Sequence, residues 1–106
     1  METRKVTDLI HFTEDAPRTE VLHETDRLWS QVICLQGAQG VGPLTDEQAE
    51  GFFVVLAGEV SVQIGKARAR LKQWGSATVA AGDPLTLRNA SPEPAVVLLV
   101  LSPPPA

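Results

Sequence analysis

A chain of 106 residues with 43% apolar residues and a net charge of −4 has the size and composition of one globular domain. This apolar content excludes a disordered chain, and the mild negative charge argues against nucleic acid as the main partner. The longest apolar run, Ala95–Leu101, is too short to span a bilayer, so we expect no membrane partner. The N-terminus lacks the layout of a signal peptide, and the single Cys34 can form no intrachain disulfide, so we expect a cytoplasmic protein.

Residues 1–20 are polar apart from the patch Leu9–Phe12, and we interpret them as a peripheral segment with a strand over a sheet edge. His11 lies within this patch. A metal ligand is one interpretation of it, but a partly buried structural histidine is favoured.

Two strands are predicted next, a short one at Val21–His23 and a stronger one at Leu28–Leu35. Cys34 lies inside the second run. A reactive thiolate needs a neighbouring base or positive field, and none is close in sequence, so we predict a buried structural cysteine.

The glycine-rich stretch 36–43 has the spacing of neither known type of phosphate-binding loop, so its glycines are assigned to turns and bulges. Thr45 and Gln48 then have the spacing of a capping box, which predicts a single helical turn.

Residues 50–65 contain two apolar runs on either side of Gly58, with a second turn signal at Gly65. This pattern predicts a β-hairpin that leads into a third strand. The third strand, residues 66–73, alternates cleanly, which places four cationic side chains on one face. That face is either an anion-binding stripe or, as we favour, a solvated surface that discourages edge-to-edge pairing. The four residues are Lys66, Arg68, Arg70 and Lys72.

Three further strands are predicted at residues 77–80, 85–89 and 95–101, separated by turns rich in glycine and proline. The last is unbroken apolar sequence, typical of a central strand that is buried on both faces. Residues 102–106 form a loose proline-rich tail. Many short, evenly spaced strands without a long helix indicate an all-β sandwich or barrel.

Two stretches resemble the motifs of a small single-domain cupin. Glu50–Glu59 is similar to the end of the first motif, in which a glutamate precedes an aromatic-Val-Leu-x-Gly run, and Gly75–Asn89 is similar to the second motif. The resemblance implies a double-stranded β-helix, or jelly-roll barrel, over a single domain of residues 1–106. It also implies a homodimer, because small cupins commonly pair through edge strands.

The metal-binding residues of the family are mostly replaced. The resemblance places a His-x-His pair in the window Pro43–Asp46, where no histidine occurs, and a further histidine where Leu85 stands. Only Glu50 remains of four ligands, and a divalent transition metal needs at least three protein donors. We therefore expect no metal and no cofactor, unless an atypical site is completed by His11, His23 or Cys34.

If Glu50 faces inward, period two carries alternate residues of its strand into the barrel, where the second motif adds its own buried face. An apolar lumen with sparse polar groups is a general description of a small-molecule site. The predicted ligand-binding residues are Glu50, Phe52, Val54, Leu85, Leu87 and Asn89.

Three functions remain open at this point. The leading hypothesis is a metal-independent module that binds or senses a small molecule. The second is a small isomerase-, lyase- or dioxygenase-like enzyme that uses Glu50 as a general base or holds a non-standard metal. The third is a structural or interaction domain whose barrel is filled by side chains.

Overall fold

The computed structural model describes residues 1–106 and contains nine β-strands. One short 3-10 helix, Val6–Leu9, precedes them. None of its helical structure is long and apolar enough to cross a membrane. The strands are β1 (Arg18–Glu24), β2 (Trp29–Leu35), β3 (Gly40–Leu44), β4 (Glu50–Ala57), β5 (Glu59–Ile64), β6 (Ala67–Lys72), β7 (Ser76–Val79), β8 (Leu85–Asn89) and β9 (Ala95–Ser102).

The strands form two antiparallel sheets that pack face to face. Sheet A has the order β1-β2-β9-β4-β7 and sheet B the order β3-β8-β5-β6. This arrangement confirms the predicted all-β jelly roll. β9 lies in the middle of sheet A, as its unbroken apolar sequence predicted, with β2 and β4 as neighbours.

The main core lies between the two sheets. Phe53 and Ile33 from sheet A and Leu87 from sheet B are all fully buried there. Successive residues of a strand point to opposite faces, so each strand gives every second side chain to this core.

The predicted hairpin at residues 50–65 is wrong, because the strands on either side of Gly58 do not pair with each other. β4 pairs with β9 and β7, whereas β5 pairs with β6 and β8, so Gly58 marks a corner at which the chain passes from one sheet to the other. Gly58 has a φ of +78°, and an added Cβ would approach the carbonyl of Pro94, so only glycine fits this corner. The hairpin is instead β5–β6, turned at Gly65 and Lys66.

The glycine-rich stretch is partly a strand rather than a loop. β3 pairs with β8 and carries a bulge between Val41 and Leu44, so the prediction of a bulge was right and that of a loop was wrong. Gly42 lies in this bulge with a φ of +110°, and its missing Cβ allows close approach to β8. The predicted helical turn is absent, because Asp46 rather than Thr45 accepts the free N–H groups that follow it.

The N-terminal segment of residues 1–20 covers a sheet face, and its last three residues begin the edge strand β1. It contains no strand before β1, and its 3-10 helix places Leu9 against the outer face of sheet A. Leu9 forms a second apolar cluster there with Leu22, Val32, Cys34 and Val96. At the other end, β9 includes Ser102, and the last backbone N–H donates to Asp46, so the tail folds back on the chain.

Candidate functional site

The interior of the barrel is a packed core. Leu85 and Leu87 are 2% and 0% exposed, and both belong to the main apolar cluster. The cavity that Leu85 lines holds about 30 Å³, the space of roughly one water molecule. The lumen therefore has no room for an organic ligand.

The predicted inward face of β4 is the outward one. Phe53 and Val55 are fully buried between the sheets, whereas Phe52 is 44% exposed and Glu50 lies in solvent at the start of the strand. Val54 shares this outer face. The alternation was correct but its phase was not, because β4 is apolar at both odd and even positions.

Asn89 faces the interior, but its side chain is occupied by the fold. Its Nδ2 donates to the carbonyls of Leu35 at 3.0 Å and Glu93 at 2.7 Å, and its Oδ1 accepts the N–H of Ser91 at 2.9 Å. Asn89 thus ties the turn before β9 to the end of β2. The six predicted ligand-binding residues do not converge, since three lie outside sheet A and three between the sheets.

The residues present do not fit the metal site that the cupin resemblance implies. Glu50 is exposed, and the buried Leu85 offers no donor atom. His11 is exposed rather than partly buried, and its Nε2 lies 3.2 Å from the carbonyl of Asp8. No group of three or more His, Cys, Asp or Glu side chains is placed to hold a metal ion.

Cys34 is 1% exposed, which confirms the prediction of a buried cysteine. Its burial raises the pKa of the thiol, an effect opposed by the backbone N–H of His11. A raised pKa keeps the group in the unreactive thiol form.

An open groove lies instead on the outer face of sheet A, where β4 begins and β7 and β9 end. It encloses about 520 Å³, and two of the predicted residues, Glu50 and Phe52, line it. The remaining side chains of the groove were not predicted, because they come from segments far apart in the chain that only the sheet order brings together. The most relevant of these are Leu28, Thr78, Val100 and Ser102. We call this surface the Glu50 groove.

The Glu50 groove continues across sheet A toward β1. A second depression of about 490 Å³ shares Leu28 and Val100 with it and adds His23 and Ser30. The Ser30 hydroxyl donates to the carbonyl of His23 at 3.3 Å and accepts its N–H at 3.0 Å. The Ser30 hydroxyl and the backbone of His23 are thus satisfied by each other. The His23 imidazole and the Glu2 carboxylate also line this depression, whereas the Glu50 carboxylate is the titratable group of the Glu50 groove itself.

Comparison with known proteins agrees with this fold. The sequence pattern of the family described as Cupin domain matches residues 31–101, whereas no curated protein shows a significant match. TT1209 from Thermus thermophilus is 26% identical, with a TM-score of 0.91 over 97% of this chain and 98% of its own. An uncharacterized conserved protein with a double-stranded beta-helix domain from Klebsiella pneumoniae is 20% identical, with a TM-score of 0.88 over 97% and 90%.

A more distant similarity concerns fold alone. KdgF from Halomonas sp. is 15% identical, with a TM-score of 0.77 over 88% of this chain and 84% of its own. The family pattern, by contrast, covers well over half of the present sequence and includes both motifs on which the resemblance was based. This chain therefore belongs to the cupin family.

Proposed function

We propose that this cupin is a binding module that takes a small molecule into the Glu50 groove, on its outer surface, without a metal ion. The observation that carries the proposal is the chemistry of the lining. Phe52, Leu28 and Val100 supply apolar walls, and Glu50 is the single titratable side chain. The volume of about 520 Å³ lies within the range of small-molecule sites, roughly 300–1,000 Å³.

The lining also indicates the class of ligand. A carboxylate beside an exposed aromatic ring attracts a cation through both its charge and the face of the ring. The Thr78 hydroxyl offers one further hydrogen bond, whereas that of Ser102 already donates to the carbonyl of Arg27 at 2.6 Å. The ligand that fits best is a compact amine with an apolar body.

Binding is favoured over catalysis because Glu50 stands alone. General acid–base chemistry needs a second group that can return or accept the proton, and the titratable side chains of the adjoining depression, Glu2 and His23, do not line the groove itself. An enzyme that used Glu50 as its base would have to take that second group from the substrate.

The first test uses benzylamine, with benzyl alcohol as its uncharged counterpart, titrated into ¹⁵N-labelled protein. We expect amide shifts confined to the start of β4 and the ends of β7 and β9, and tighter binding of the amine than of the alcohol. Glu50→Gln should reduce the ratio of amine affinity to alcohol affinity roughly threefold to fivefold, which is the contribution of one partly solvated ion pair. Glu93→Gln, which removes the same charge from the exposed turn before β9, at the other end of that strand, should leave the preference unchanged. Equal effects of the two substitutions, or shifts at buried core residues, would contradict the proposal.

A second candidate is an interaction module that forms a homodimer, and the filled interior favours it. β1 pairs only with β2, and Val21 at the centre of this seven-residue edge strand is 38% exposed. Arg4 Nη1 donates to the carbonyls of Val21 at 2.9 Å and Leu22 at 3.3 Å, so this side chain has to move aside when β1 pairs with a second copy. If two copies of β1 pair about a two-fold axis at Val21, Arg18 of one lies opposite Glu24 of the other. We propose that this edge is the dimer contact.

Light scattering coupled to size exclusion tests the dimer. Val21→Lys places two lysines opposite each other at the axis and should yield a monomer. Ser76→Lys puts the same charge on β7, the opposite edge of sheet A, and should leave the dimer intact. A wild-type monomer at millimolar concentration, or a dimer that survives Val21→Lys, would remove β1 as the contact.

A further inference from the structure

We infer a second binding site, on the outer face of sheet B, for a small anion that carries a diphosphate group. This site is independent of the Glu50 groove and lies on the opposite side of the sandwich. It consists of six outward side chains on three neighbouring strands, which we call the basic face. They are Arg88 and Thr86 on β8, Ser61 and Gln63 on β5, and Arg70 and Arg68 on β6.

Strand register fixes how these six side chains are arranged. Ser61 is paired directly with Arg70 on one side and with Arg88 on the other. One step along the strands, Gln63 is paired with Arg68 and Thr86. Residues in register across antiparallel strands point to the same face, so the six side chains form two rows of three. Every one of them can donate a hydrogen bond, and none is acidic.

Two of the three arginines have no partner in the fold. Arg70 donates through Nε to the carboxylate of Glu59 at 2.6 Å and through Nη2 to the carbonyl of Ala90 at 2.9 Å. The other ion pair of the chain, Arg18–Glu20, lies on β1. Arg68 and Arg88 therefore remain as two uncompensated charges on a protein whose net charge is −4.

Protection of a sheet edge does not account for this arrangement. Cations that discourage edge-to-edge pairing are needed on edge strands, and β6, which carries Arg68, is such a strand. Arg88, however, lies on β8, an interior strand between β3 and β5. A cation there adds nothing to the protection of an edge, but it completes a pair of charges around Ser61 and Gln63.

The spacing of the two arginines suits a diphosphate. They lie on either side of β5 and one two-residue step apart, so their Cα atoms are separated by about 12 Å, from a strand spacing of about 4.8 Å and a rise of about 3.4 Å per residue. Both side chains can extend over the central strand, and a guanidinium fork binds phosphate oxygens in pairs. The groove between Arg68 and Arg88 encloses about 520 Å³, with Ser61, Gln63 and Thr86 also in its lining.

Titration of sodium pyrophosphate at constant ionic strength tests this site, followed by NMR and calorimetry. We expect shifts in the amides of β5, β6 and β8 and in the Nε signals of Arg68 and Arg88. Arg68→Gln and Arg88→Gln should each weaken binding roughly tenfold, the effect of losing one charge-assisted hydrogen-bonding group. Arg27→Gln, the matched control, removes an exposed charge outside the basic face and should change the affinity less than about twofold.

Glu59→Gln should strengthen the binding of pyrophosphate, whereas the arginine substitutions weaken it. It releases Arg70 from its ion pair toward the row that it shares with Ser61 and Arg88, so pyrophosphate should bind more tightly. Glu47→Gln, which removes the same charge from a distant turn, is its control.

Adenosine diphosphate in place of pyrophosphate distinguishes the source of the ligand. Tighter binding of the nucleotide indicates a diphosphate carried by a nucleoside, and equal binding a free one.

Three results would overturn the assignment. One is an equal loss in Arg27→Gln and in the double variant of Arg68 and Arg88. Another is a gain in Glu59→Gln no larger than that in Glu47→Gln. The third is a set of shifts that chloride reproduces at equal ionic strength, which would mean an adventitious ion only.

Discussion

Replacement of Asn89 by aspartate separates a structural role for this residue from a ligand-binding one. The two side chains have the same shape, so no cavity is created. Aspartate can still accept the N–H of Ser91, but it cannot donate to the carbonyls of Leu35 and Glu93, which Asn89 reaches at 3.0 and 2.7 Å. Asn89 and Leu35 are 2% and 0% exposed, so water cannot replace the bond to Leu35, whereas the carbonyl of the exposed Glu93 still accepts the Ser91 hydroxyl at 3.3 Å.

The expected loss follows from these two bonds. An unsatisfied buried carbonyl costs about 1–3 kcal/mol, so Asn89→Asp should lower the free energy of unfolding by about 3 kcal/mol. A chain of 106 residues unfolds with an entropy of roughly 0.22 kcal/mol/K, which converts that loss into a fall in Tm of about 13 °C. Burial against carbonyl oxygens raises the pKa of an aspartate in the folded state. The loss in the free energy of unfolding is therefore largest above that folded pKa and decreases as the pH falls toward about 4, the pKa of an aspartate in the unfolded chain.

Urea and thermal unfolding, followed by circular dichroism at several pH values, measure this loss. Gln48→Glu is the control, because it makes the same change of amide to carboxylate at an exposed residue and should alter stability by less than about 0.5 kcal/mol. An unchanged Tm for Asn89→Asp would refute the structural role and return the residue to the list of ligand contacts.

Three further predictions concern other parts of the fold. Gly51→Ala should cost roughly 3 kcal/mol or more in the free energy of unfolding, because the new Cβ would overlap the carbonyl of Val100 in the paired strand. Gly65→Ala, at a φ of +58° with open space around it, should cost only about 1–2 kcal/mol, and equal losses would rule out the steric cause. Cys34 should react with a thiol reagent only as fast as the protein opens, so rapid labelling of the native state would contradict its burial. The pKa of Asp46 is lowered by backbone N–H groups, the largest effect coming from the last residue of the chain. The stability from these bonds is present above the ordinary aspartate value of 3.8 and is lost as the pH falls through the lower folded pKa. NMR titration of that C-terminal amide should show its release only below pH 3.8, and release at a higher pH would refute the assignment.

The sequence predicted which residues form strands better than which strands pair. Residues 95–101 were predicted to lie in the interior of a sheet because all seven side chains are apolar, and β9 does lie there. The break between two strands at Gly58 was predicted correctly, but a local signal cannot say whether the next strand joins the same sheet or the opposite one. The true partners of β4 are β9 and β7, and those contacts are far apart in sequence.

The phase of β4 was beyond prediction for a related reason. Phe52 and Phe53 are identical neighbours, and so are Val54 and Val55. The two faces of β4 therefore carry the same residue types, and the sequence does not indicate which face is buried. The choice is made by tertiary packing, since Phe53 is paired with the buried Leu99 across the sheet. The error in phase placed Glu50 in the lumen. It also hid the outer groove, which is formed by β4 together with Leu28 and the strands β7 and β9.

A filled interior makes the two proposed sites thermodynamically separable. They lie on the outer faces of sheets A and B, and packed sheets are about 10 Å apart with close-packed side chains between them. Sites that share no partners couple weakly, so Glu50→Gln should leave the affinity for pyrophosphate unchanged, and Arg68→Gln should leave that for benzylamine unchanged. The double variant should show the sum of the two single losses within about 0.5 kcal/mol. A larger coupling would mean that the core between Phe53 and Leu87 has two packing arrangements, and the barrel would then transmit binding from one face to the other.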